Sequence, residues 1–67
     1  MSKAKLRMYY FGQQSRFQAR AHEAEAMAYS LESRHDLTAQ YRELAKASHQ
    51  RADSYFEMSG RKEGSLT

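Results

Sequence analysis

The chain has no cysteine, no proline, no tryptophan and only three glycines among its 67 residues. Without cysteine there is no disulfide framework and no thiolate metal site. Without proline, and with so little glycine, a β-sandwich or barrel built on tight turns is disfavoured and long helices are favoured. No run of about 18 apolar residues exists to span a membrane. Residues 1–20 lack the uninterrupted apolar core and small-residue cleavage site of a signal peptide, because Arg7 and Gly12 break the stretch. These features lead to the expectation of a single cytoplasmic domain.

A domain this short buries a modest share of its surface and usually needs a staple. With disulfides excluded and no metal-ligand cluster in the sequence, self-association is the staple that remains. Charge is placed unevenly within the net +3: residues 1–20 hold Lys3, Lys5, Arg7, Arg16 and Arg20 and no acid.

Helical phasing at about 100° per residue organises the second half of the chain. Leu37, Tyr41, Leu44, Ala45, Ser48, Ala52, Tyr55, Phe56 and Ser59 share one arc, with charged residues outside it. This predicts an amphipathic helix over about 38–59. Asp36 or Thr38 is suited to cap its start, and Gly60 to end it. The first half predicts a longer helix over about 4–33, on which Leu6, Tyr10, Phe17, Ala21, Ala24, Ala28 and Leu31 share an arc. Gly12 is its weak point, a place to kink or to begin. One unbroken rod would turn the two stripes about 120° apart, so a turn over about 34–37 is expected, with Ser33 and Asp36 matching a capping box.

The expected fold is therefore all-α: an antiparallel helical hairpin over residues 1–60, with a flexible polar tail over 61–67. Its predicted core is Phe17, Ala21, Ala24, Leu31, Tyr41, Leu44, Ser48, Ala52 and Tyr55. A second stripe on the first helix, formed by Met8, Phe11, Gln18, His22, Ala26 and Tyr29, is left for a second chain. The expectation is a homodimeric four-helix bundle.

Sites for chemistry are sparse. Glu32 and His35 have the Glu-x-x-His spacing used in di-iron bundles, but the expected inner face of the second helix offers no further carboxylate. His22, His35 and His49 form no metal-binding pair, and no nucleophile stands beside a base. The reading is a non-enzyme with no cofactor and no metal. The segment Lys3–Phe11, basic and aromatic, overhangs the shorter helix. Cations at a helix start run against the macrodipole, which a negatively charged partner would explain.

Tyr9, Tyr10 and Phe11 as anchors, with Arg7, Arg16 and Arg20 steering, suit a protein target inhibited by steric occlusion. An RNA- or DNA-binding regulator using the same basic face is the alternative. In plan (about sixty residues, two antiparallel helices, a polar tail) the chain resembles the small Rop-type hairpin proteins. That resemblance implies a dimeric bundle. In scale it is similar to phage-encoded proteins that bind host proteins.

Overall fold

The computed structural model describes residues 2–65. Two helices, α1 (Lys3–Leu31) and α2 (His35–Ser59), pack antiparallel as a hairpin measuring 46 × 19 × 14 Å. Ser2 caps α1, its hydroxyl accepting from the Lys5 N–H at 3.2 Å. The helix runs through Gly12 without a break.

The turn is shorter and earlier than the spacing predicts. Arg34 N–H donates to Tyr29 O (2.9 Å) and Ser33 N–H to Ser30 O (3.0 Å). This is the two-bond helix stop normally built on glycine, with Ser33 carrying the left-handed φ of 57° instead. The stop needs neither glycine nor proline, so the sequence does not mark it. α2 then begins at His35, with Arg34 as its N-cap and no side-chain cap bond. Neither Asp36 nor Thr38 caps it: Thr38 lies inside the helix, and its hydroxyl donates back to Arg34 O at 2.9 Å. At the far end Gly60 takes φ 72° and closes α2.

The interface between the helices is a seam of small residues. On α1 it follows Met8, Gly12, Ser15, Ala19, His22, Ala26 and Tyr29, steps of four and three. On α2 it follows Thr38, Tyr41, Ala45, Ser48, Ala52, Tyr55 and Ser59 with the same alternation. Every one of these side chains is buried or half-buried. Steps of four and three average 3.5 residues, the period that keeps a seam facing its partner as two helices coil. Every second seam position, seven residues from the last, is small: Gly12, Ala19 and Ala26 on α1, Thr38, Ala45, Ala52 and Ser59 on α2. Small residues in register let the helices approach closely. Larger side chains pack at both ends: Tyr29 stacks on Tyr41 near the turn, and away from it Tyr9 and Phe56 pack edge to face at 5.4 Å beside Ala52.

This seam inverts the expected facing of α1. Phe17 and Leu31, expected in the hairpin core, are 72% and 88% exposed, and Ala21 and Ala24 are exposed with them. Conversely, Met8, His22, Ala26 and Tyr29, assigned to a second chain, line the intramolecular seam, where Tyr29 stacks on Tyr41 at 5.4 Å. The physical reason is shape: α1 is apolar on two sides and large side chains lie on both, but only the side facing α2 carries a small residue at every seventh position, which lets the backbones approach. Leu44, also expected in the core, lies at its margin and is exposed, whereas Tyr41 and Tyr55 are half-buried and Ser48 and Ala52 buried.

The expected flexible tail is docked as far as it is described. Glu63 reaches Arg16 and Arg20, and Gly64 N–H donates to the Tyr9 hydroxyl at 3.0 Å. The remainder of the tail, Leu66 and Thr67, lies outside the described residues, as does Met1.

Candidate interaction surfaces

Successive residues on a helix point about 100° apart, so three consecutive aromatics cannot share one face. The structure separates them accordingly. Tyr9 turns inward and is 1% exposed, so it is withdrawn from the set of partner anchors. Phe11 leans over α2 against Tyr55, with ring centroids 5.5 Å apart, and keeps 41% of its surface. It therefore belongs neither to the seam nor wholly to solvent. Tyr10 points outward and is 56% exposed.

Outward of α1, Tyr10 continues into a stripe with Phe17, Met27 and Leu31, filled in by Gln13, Ala21, Ala24 and Ala28. Leu6, half-buried, begins it. Lys3, Arg7 and Arg20 are the charges on this arc, and no acid interrupts it. Among soluble helices, one that is apolar on opposite sides normally has protein on both. Gln18, expected at a dimer contact, is exposed beside the stripe and not on it.

The basic residues also divide. Lys3, Lys5 and Arg7 are exposed and, among the described residues, take part in no ion pair. Arg20 is mostly exposed, with Glu63 at 3.6 Å. Arg16, expected to steer a partner, is instead held inside the molecule. Its guanidinium donates to Asp53 Oδ1 (2.6 Å), His49 Nδ1 (2.7 Å) and Glu63 Oε1 (3.1 Å), and it sits over the Phe56 ring.

Arginine is a donor only, so His49 Nδ1 must accept here, and His49 Nε2–H donates to Glu23. One side chain of α1 thus ties α2 and the tail together. The hydrogen bond to Asp53 raises the Arg16 pKa above its ordinary value; burial opposes this, and the charge of Glu63 adds to it. Sequence reasoning missed this cluster. Pairing the helices about position 34 rather than 35 would have set Arg16 level with Ala52 and Asp53.

Glu32 caps the end of α1 and His35 begins α2, so the turn separates them. Among the described residues no three carboxylate or imidazole groups converge on a metal-sized site. The hollow beside Phe56, Glu57, Gly60, Arg61 and Lys62 has a volume of about 240 Å³ and opens to solvent. No described helix is long and apolar enough to cross a membrane. No family model, no curated protein and no solved structure matches the chain.

Proposed function

We propose that the chain is a cytoplasmic, non-enzymatic regulatory module that works as a homodimeric four-helix bundle. In this reading it binds another protein through the N-terminal end of α1 and inhibits it by covering a surface. The observation that carries the reading is that end of the helix. Among the described residues Lys3, Lys5 and Arg7 make no ion pair, and Phe11, one turn on from Arg7, has its ring supported by Tyr55. A half-exposed aromatic on a rigid helix, one turn from Arg7 and close to a cationic helix end, has the composition of an interface hot spot for an acidic protein surface. The cations would set encounter rate and orientation, and the aromatic the residence time.

The test is retention of a protein from a nuclease-treated lysate of the native host, at about 0.4 M salt, by wild type and by Phe11→Ala. The reading expects a protein held by wild type and lost with the variant. Retention that the variant does not change overturns it, and so does retention of nothing. Binding that disappears log-linearly with salt and requires nucleic acid would replace it with a nucleic-acid regulator.

A further inference from the structure

The homodimer in the preceding proposal leaves open which surfaces meet. From the outward stripe of α1 we infer that a second copy of this chain covers it, with the two α1 helices antiparallel about a two-fold axis between residues 18 and 19. This rests on the dimeric part of that proposal, with the four helices in a row in which each α1 lies between its own α2 and the second α1, and not in a closed bundle; it is independent of the N-terminal end that would hold a target.

Three observations converge on that occupant. The first is area. Tyr10, Phe17, Met27 and Leu31 are 56%, 72%, 70% and 88% exposed. Together they leave on the order of 500 Å² of side chain in water, the upper range of what a monomer tolerates as one patch. With the alanines and Gln13 between them, the stripe approaches the roughly 800 Å² that each partner of a stable complex contributes.

The second observation is self-complementarity. Antiparallel pairing about that axis matches residues whose numbers sum to the same value. It sets Leu6 beside Leu31 of the second copy, Tyr10 beside its Met27, Gln13 beside its Ala24 and Phe17 beside its Arg20. In this register Leu6, Tyr10, Gln13, Phe17, Arg20, Ala24, Met27 and Leu31 meet one another, while Ala21, Ala28 and Lys3 fall level with Arg16, Tyr9 and Arg34 and add nothing to the match. Large meets large at the ends, polar meets small between, and the central cations lie over aromatic rings.

The third is charge. α1 has no acid in its first turn and no basic residue in its last, so both ends run against its own macrodipole. A parallel pair would bring two sets of Lys3, Lys5 and Arg7 together. An antiparallel pair holds the two cationic ends apart, at opposite ends of the dimer.

The absence of cysteine makes the geometry directly testable. In the double variant Gln13→Cys/Ala24→Cys, each thiol faces the other kind across the axis. Within one chain the two positions are eleven residues apart on a rigid helix, about 16 Å, so they cannot bridge internally. Wild type is expected to show the mass of a dimer in light scattering at tens of micromolar, and Phe17→Glu the mass of a monomer with unchanged far-ultraviolet helicity. Mild oxidation of the double variant is expected to give nearly complete covalent dimer, and each single variant at least tenfold less.

A monomeric wild type would overturn both this inference and the dimer. A dimer whose single variants cross-link as well as the double would overturn the antiparallel register alone. A dimer that Phe17→Glu leaves intact would place the contact elsewhere and also sink the inference. None of these outcomes bears on binding of a target at Phe11.

Discussion

The Phe56 ring occupies the space that a β-carbon on Gly12 would need: such an atom would lie 2.9 Å from Cε1 of the ring. Gly12 is thus a packing residue in an unbroken helix. In an exposed helix interior Gly→Ala stabilises by about 1 kcal/mol. Here overpacking of about 1–3 kcal/mol opposes that gain, because the ring is 6% exposed and is held by Tyr9. Gly12→Ala is expected to destabilise by about 1 kcal/mol in urea unfolding. In a Phe56→Leu background the same change should become stabilising. Additivity of the two changes would show that the ring is not the obstacle.

Ser33 closes α1 at φ 57°. A non-glycine residue in that region carries about 1 kcal/mol of strain, and glycine carries none. Ser33→Gly should therefore raise stability by about 0.5–1 kcal/mol, while Ser33→Val should lower it. Thermal midpoints of the two variants, shifted in opposite directions from wild type, would check it.

The small seam makes a sharp distinction between alanines of one helix. Ala52 is fully buried against α1, and Ala47 is exposed on the other side of α2. Ala52→Leu should cost about 2–3 kcal/mol, since the helices must separate or the side chain must strain. Ala47→Leu should change stability by less than about 0.5 kcal/mol. Equal effects would mean that the seam is mis-faced.

How far the sequence discloses this arrangement differs between the helices. α2 segregates charge from the arc holding Tyr41, Ala45, Ser48, Ala52 and Phe56, so its inner face can be read directly. α1 cannot be read by the same rule. Its bulky residues are divided: Phe17 and Leu31 point away from α2, Tyr9 and Tyr29 toward it, and the inner face between those two is written largely in Gly12, Ser15, Ala19 and Ala26. A hydrophobicity ranking counts these as filler. The informative signal is their seven-residue recurrence in both helices, which reports close approach and not greasiness. The Arg16 cluster is hidden for another reason: it joins three segments and becomes visible only once the seam register is known.

Tyr41 stacks on Tyr29 near Glu25, and its phenol is raised above the ordinary value, chiefly by the Glu25 carboxylate, then by Tyr29 and burial. A phenol that holds its proton more tightly when folded contributes stability below the ordinary tyrosine range. That contribution is lost as pH rises through the folded value. Among the five tyrosines, an ultraviolet titration should show a late-ionising component that disappears in Tyr41→Phe. Glu25→Gln should bring that component to lower pH, by removing the largest cause. A titration unaffected by either change would break the assignment.

The docked tail rests on few groups, so each can be weighed. Tyr9 accepts the Gly64 N–H at 3.0 Å through its hydroxyl, while its ring packs in the core with Phe56. Tyr9→Phe removes the acceptor and keeps the ring. A net hydrogen bond of about 1 kcal/mol corresponds to roughly fivefold in the open population. Amide exchange of Gly64 should accelerate by about that factor, while amides at the centre of α1 stay protected. Glu63→Gln should act on the same segment by weakening its hold on Arg16, whose bonds to Asp53 and His49 remain. The two variants combined should accelerate exchange by more than either alone, because each leaves the other tether in place. Exchange at Gly64 that neither variant alters would mean that the segment is held by something other than Tyr9 and Arg16.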